Sequence, residues 1–171
     1  MEKIMNIRDA IKTAIQMEKD GYSFYIKAAA QTTNKMGKEI FESLASDEQV
    51  HLDVFKKLFD DTIGNKEWEN LVFSSKKYAD IPIFPKDLKS IEGASPNTND
   101  LDALRIAMDA EKEAIDYYSE MLICEKNEDT KRILNEIIEQ EKHHYFILEQ
   151  ELDFLNQTGE WYKLQDLGRS L

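Results

Sequence analysis

Shifted by 93 residues, the second half of this chain falls on the first half without a gap. Ala14 meets Ala107, Glu18 meets Glu111, Lys19 meets Lys112 and Tyr25 meets Tyr118. The same shift carries Asn34 to Asn127, Lys38 to Lys131, Ile40 to Ile133, Glu48 to Glu141 and His51 to His144. Apolar residues recur at helical spacing before and after each of the two asparagines. One offset that spans helix, turn and helix makes the repeated unit an αα-hairpin. A single hairpin leaves its apolar face in water, so two of them are expected to pack into an all-α four-helix bundle.

The seams give the helices. The first reads Ile4, Ile7, Ile11, Ala14, Glu18, Gly21, Tyr25, Ala28, with Asn6 as its N-cap and Asp9 three residues on. The second reads Phe41, Leu44, Glu48, His51, Phe55, Leu58. Asp100 and Asp102 suit the positive start of a third helix, which begins near Asn97 or Asn99 and has its seam at Leu104, Ala107, Glu111, Ala114, Tyr118 and Met121. The fourth follows 127–130 and reads Leu134, Ile137, Glu141, His144, Leu148.

Pro82, Pro85, Gly93 and Pro96 all fall between the hairpins. The expected organisation is one domain over residues 1–171, with a hairpin at 6–60, a crossover at 61–98, a hairpin at 99–155 and a tail at 156–171. A bundle turn needs only about 2–8 residues, so the longer connection is read as a crossover that makes the second and third helices parallel. The stretch Ile81-Pro82-Ile83-Phe84-Pro85 reads as extended chain on the bundle. The tail is expected to fold back as a cap through Trp161.

Composition narrows the partners. Thirty-four acids against 22 bases leave a net charge of −12, which opposes nucleic acid and an anionic membrane surface. The one cysteine, Cys124, excludes an intramolecular disulfide and any multi-cysteine metal site. No apolar run reaches the ~18 residues of a spanning helix, and the first residues do not begin a signal peptide. A soluble, cytoplasmic protein is expected.

The anomaly is charge inside the apolar seams. Glu18, Glu48, Glu111 and Glu141 sit near the middle of their helices at matching depth, so a bundle brings all four to one level. His51 and His144 follow Glu48 and Glu141 by three residues and share their faces. Four carboxylates in a low-dielectric interior repel one another unless they take up protons or are neutralised. Two divalent cations with two neutral imidazoles bring the sum to zero. A Glu from each of two helices and Glu-x-x-His from each of the other two is the donor count of a dinuclear carboxylate centre. Iron or manganese suits such donors, and the ligand types admit zinc. Beside them, Tyr25 and Tyr118 are placed either to pack as core aromatics or to bond a ligand carboxylate. Asp47 and Gln140 are placed either in solvent or to accept the outer ring N–H of a histidine across the bundle. Gly21 and Ala114, small seam residues beside the acids, serve either close helix packing or space for an oxygen-derived ligand, and His143 lies off the seam.

Through Met17-Glu18-Lys19-Asp20-Gly21-Tyr22-Ser23-Phe24-Tyr25, Asp47-Glu48-Gln49-Val50-His51, Ala110-Glu111-Lys112-Glu113 and Gln140-Glu141-Lys142-His143-His144, the chain resembles the rubrerythrin-related branch of the ferritin-like di-iron superfamily. The resemblance runs from about Ile7 to Leu155. It implies a ferritin-like crossover bundle with two non-haem iron ions. It also implies redox chemistry on peroxide or dioxygen and a place in oxidative-stress defence, with no catalytic residue beyond the metal ligands. By matching position, Glu18 and Glu111 would be terminal or bridging ligands, Glu48 and Glu141 would bridge, and His51 and His144 would each ligate one ion.

Three departures qualify it. Ala114 stands where the family carries a further glutamate linked to redox-dependent ligand exchange. The lone cysteine cannot build the family's rubredoxin domain, so electrons must come from a separate protein. Gln49 replaces the methionine that ligates haem in bacterioferritins, so no haem is expected. The sequence thus points to a peroxidase- or ferroxidase-like di-iron oxidoreductase, a homodimer or larger homo-oligomer. The alternatives are an iron-sequestering protein, which the acidic balance would suit, and a metal-stapled bundle that binds a partner protein without catalysis.

Overall fold

The computed structural model describes residues 7–63 and 96–162. Within them lie four helices: α1 (Ile7–Gln31), α2 (Lys35–Ile63), α3 (Pro96–Cys124) and α4 (Glu128–Thr158). Ile4, the Asn6 cap, the Ile81–Pro85 stretch and the tail beyond Tyr162 lie outside the described residues.

The helices outrun the hairpin limits expected from the seams, because the nearest breakers lie further out. The second helix continues to Ile63, and Gly64 is the first glycine or proline beyond Gly37 in the sequence. The third starts at Pro96, where a missing N–H costs nothing and a fixed φ favours the first turn. It therefore begins ahead of Asp100, which is buried four residues inside rather than set at the dipole's end. The fourth runs to Thr158 and stops at Gly159, whose φ of 73° is the left-handed conformation that closes a helix; its N–H reaches the Leu155 carbonyl.

Both hairpin turns use the same device. Asn34 Oδ1 accepts from the N–H groups of Met36 and Gly37, and Asn127 Oδ1 accepts from those of Asp129 and Thr130. Each asparagine thus satisfies two of the donors that a helix start leaves free.

Each hairpin packs closely on itself, and the two meet more sparsely through α1 on α3 and α2 on α4. Tyr117 donates to the Ala10 carbonyl near one end of α1, and Thr32 donates to Asp100 near the other. The first and third helices are therefore antiparallel. The second is antiparallel to the first across a short turn, so α2 and α3 run parallel. Among the described residues no helix is long and apolar enough to cross a membrane.

Two apolar plugs fill the bundle. One gathers Ile11, Ile15, Phe55, Phe59, Met121 and Leu134. The other gathers Phe24, Phe41, Leu44, Leu104, Leu148 and Trp161. Trp161 returns over Gly37 after the Gly159 turn, packs edge-on against Phe41 and donates from Nε1 to Asp100. The described part of the tail, to Tyr162, thus packs on this end. Between the plugs lies one polar layer.

Candidate metal centre

All four helices feed that layer. Glu18 comes from α1, Glu48 and His51 from α2, Glu111 from α3, and Glu141 and His144 from α4; all six are at most 5% exposed. Side chains three residues apart on a helix share a face, so each Glu-x-x-His pair enters together. The donor atoms form two overlapping quartets, each with its atoms within 4.8 Å of one another. One is Glu18, Glu48, His51 and Glu141; the other is Glu48, Glu111, Glu141 and His144. Glu48 and Glu141 belong to both.

Both imidazoles turn Nδ1 inward. His51 Nδ1 lies 3.1 Å from Glu141 Oε1 and 3.6 Å from Glu18 Oε2. His144 Nδ1 lies 3.1 Å from Glu141 Oε2, 3.5 Å from Glu48 Oε1 and 3.7 Å from Glu111 Oε1. The rings stack with centroids 5.7 Å apart. The outer nitrogens reach across the bundle, His51 Nε2 to Gln140 Oε1 at 2.7 Å and His144 Nε2 to Asp47 Oδ2 at 3.2 Å.

The tyrosines cross as well. Tyr25 on α1 donates to Glu111 on α3, and Tyr118 on α3 donates to Glu18 on α1. Each hydroxyl serves the carboxylate of the opposite hairpin. Burial first, and then the neighbouring carboxylates (Glu111 for Tyr25, Glu18 for Tyr118), push both phenols well above their ordinary range. They stay protonated and keep donating.

Burial and the Glu141 charge raise the carboxyls of Glu18 and Glu111, and burial with the charges of Glu18 and Glu141 raises Glu48. Glu141 is the exception. Burial pushes it up, but the two histidines prevail and hold it below the usual carboxylate range. Burial pulls His51 down, yet the closeness of Glu141 and Glu18 carries it up to about 11. Asp47, Glu111, Glu141 and Glu48 likewise outweigh burial and raise His144. Without cations, protons stand in for the missing positive charge.

Those protons do not satisfy every atom. Glu18 Oε2, His51 Nδ1 and Glu141 Oε1 are buried without a hydrogen-bond partner, although all belong to the same quartet. A cation at their common centre would complete all three at once, and hard oxygen with imidazole nitrogen suits a first-row divalent metal. The residues present fit such a group.

A cavity of about 20 Å³ adjoins the layer, lined in part by Gly21, Ala114, Tyr25 and Tyr118. A Cβ at Gly21 would approach Glu48 Oε2 to 2.9 Å. The missing side chain is what admits the Glu48 carboxylate.

The structure thus brings together the six residues singled out as ligands, with Tyr25, Tyr118, Asp47 and Gln140 bonded around them. His143 is exposed, away from the layer. The sequence reading missed Glu151, fully buried on α4, whose Oε2 accepts from the Tyr162 N–H at 3.0 Å. It sits three residues beyond Leu148 on the same seam, which was the available signal.

A family model described as Rubrerythrin matches residues 9–152 of this chain. A solved structure of a hypothetical protein from Pyrococcus furiosus is similar with a TM-score of 0.74 at 24% identity, over 92% of this chain and 94% of that one. At that identity the likeness speaks for the fold. No curated protein matches the chain.

Proposed function

The chain belongs to the rubrerythrin family, and from that premise we propose that its buried layer holds two iron ions and reduces peroxide or dioxygen with electrons from another protein. The observation that carries the reading is the pair of overlapping quartets that share Glu48 and Glu141. When bound, two ferrous ions supply one electron each to an O–O bond, so that peroxide with two protons gives two molecules of water.

This chain's residues set the conditions for that. Glu48 and Glu141 would contribute to both positions, and Glu18 and Glu111 would each complete one. His51 and His144 each present Nδ1 to one position, and Gln140 and Asp47 fix the rings from outside. Tyr25 and Tyr118 hold the carboxylates of Glu111 and Glu18 and keep hydroxyl protons at the edge of the cavity. That cavity, at about 20 Å³, exceeds the roughly 10–15 Å³ that one water needs, which suits an oxidant of two heavy atoms. The apolar plugs close the bundle above and below this layer.

The test is reconstitution of the full chain with ferrous iron under argon, followed by hydrogen peroxide. The expected result is a change in the optical spectrum and one peroxide consumed per two ferrous ions. An unchanged spectrum with no peroxide consumed overturns the reading. Gel filtration should show a small oligomer with two iron ions per chain; a shell-sized species with many would favour iron storage. Zinc retained from iron-replete cells without redox response would favour a metal-stapled binding module.

A further inference from the structure

The repeat that pairs Glu18 with Glu111, Glu48 with Glu141, His51 with His144 and Tyr25 with Tyr118 fails at one place in the polar shell of the layer. Asp47 falls on Gln140. These two side chains receive the outer ring nitrogens: His144 Nε2 faces an Asp47 carboxylate oxygen, and His51 Nε2 faces the Gln140 amide oxygen. With Nδ1 turned inward to a cation, Nε2 carries the ring proton and donates outward. One histidine therefore donates to an anion, and the other to a neutral group.

We propose that the two cation positions are unequal, and that Asp47 makes the position at Glu48, Glu111, Glu141 and His144 the tighter one. The inference rests on the dinuclear reading above. A carboxylate acceptor draws the ring proton outward, raises electron density at Nδ1 and makes the imidazole a better donor. It also adds a full negative charge on that side, which the Gln140 amide does not. Gly21 and Ala114 differ between the halves too. The contact that a Cβ at Gly21 would make is with Glu48, which belongs to both quartets, so it favours neither position. Removing such an outer partner commonly costs about 10–100-fold in metal affinity. The Asp47 side chain is 50% exposed, and solvent screening puts the effect at the low end, about tenfold.

The experiment is anaerobic calorimetric and optical titration of the metal-free full chain with Co²⁺. Two ions should bind per chain in steps about tenfold apart. Asp47→Asn should narrow the gap by weakening the tighter step, and Gln140→Glu should narrow it by strengthening the weaker one. Both positions are partly or largely exposed, so folding is not at stake. Two equal steps in the unaltered chain, or a gap that Asp47→Asn leaves in place, overturn the inequality while leaving a two-ion centre intact. Uptake of fewer than two ions overturns the dinuclear reading and the inequality with it, and the stoichiometry tells the cases apart.

Discussion

At mid-bundle, Glu18, Glu48, Glu111 and Glu141 face two imidazoles and one another. Toward the Trp161 end, Asp100 and Glu151 are also buried but face donors that the fold supplies. Asp100 Oδ2 accepts from Thr32 Oγ1 and Trp161 Nε1, and Glu151 Oε2 accepts from the Tyr162 N–H. A buried acid with its own donors ties chain segments together. Several acids turned on a common centre, with atoms that nothing in the protein satisfies, require charge from outside. Glu151 also keeps one oxygen unpartnered, but a single acid escapes by holding a proton.

The largest test of that contrast is removal of metal. An ion held at about a thousandfold above its Kd stabilises the fold by roughly 4 kcal/mol, so a chelator should lower the melting temperature of the loaded protein by several degrees. Glu48→Ala removes a donor common to both quartets and should abolish the chelator's effect; Asp100→Asn should leave it in place. Because protons occupy the metal-free centre, with His51 up at about 11 and three carboxyls above their ordinary range, loading must expel them. Affinity should fall as pH drops, by about tenfold per pH unit for each proton displaced. Equal Co²⁺ affinity at low and neutral pH would contradict this.

Next in size is Trp161→Ala, which empties the opposite end. Loss of a buried Trp costs about 3–5 kcal/mol, and Asp100 loses one of its two donors. Denaturant melts should show this loss with and without metal, because nothing at that end waits for a cation. If the loss vanished in the metal-free chain, the two regions would not be independent.

One substitution can be made in both regions. Glycine to alanine in a helix ordinarily gains about 1 kcal/mol. At Gly37 the new methyl would meet the Trp161 ring at 2.6 Å, and at Gly21 it would meet Glu48 Oε2 at 2.9 Å. Overpacking costs about 1–3 kcal/mol. Gly37→Ala should therefore lower stability with Co²⁺ binding unchanged. Gly21→Ala should weaken Co²⁺ binding by displacing Glu48, with a smaller loss in the melt of the metal-free chain.

The mid-bundle layer was largely legible because a charged residue at an apolar step is visible in one dimension, and the repeat shows it twice. Glu18 and Glu111, Glu48 and Glu141, His51 and His144 announce themselves as pairs. The partners of Tyr25 and Tyr118 were not legible. Seven residues along the same helix, each tyrosine shares a face with its own glutamate, and only the antiparallel contact of α1 with α3 sends the hydroxyl across to the other. The Trp161 end was legible only as a cap. Asp100 has the look of a helix-start acid until the tail brings an indole N–H to it, and no periodicity encodes a turn after Gly159.

Glu151 offers the smallest and most local test. Its repeat partner is Leu58, so an ionisable group stands where the first half of the chain places a core side chain. Burial raises its carboxyl from the ordinary 4.5 to about 7, against the modest opposing pull of the Tyr162 N–H. The folded pKa is the higher one, so folding favours the protonated form. That stabilisation is complete below about 4.5 and is lost as pH rises through about 7. A rise of that size corresponds to an effect on the order of 1–3 kcal/mol across this range. Glu151→Gln keeps an acceptor for Tyr162 but cannot ionise. Melts of the metal-loaded variant and parent between pH 5 and 8 should diverge toward the alkaline side, with the variant losing less stability. Parallel curves would mean that Glu151 does not titrate in this window.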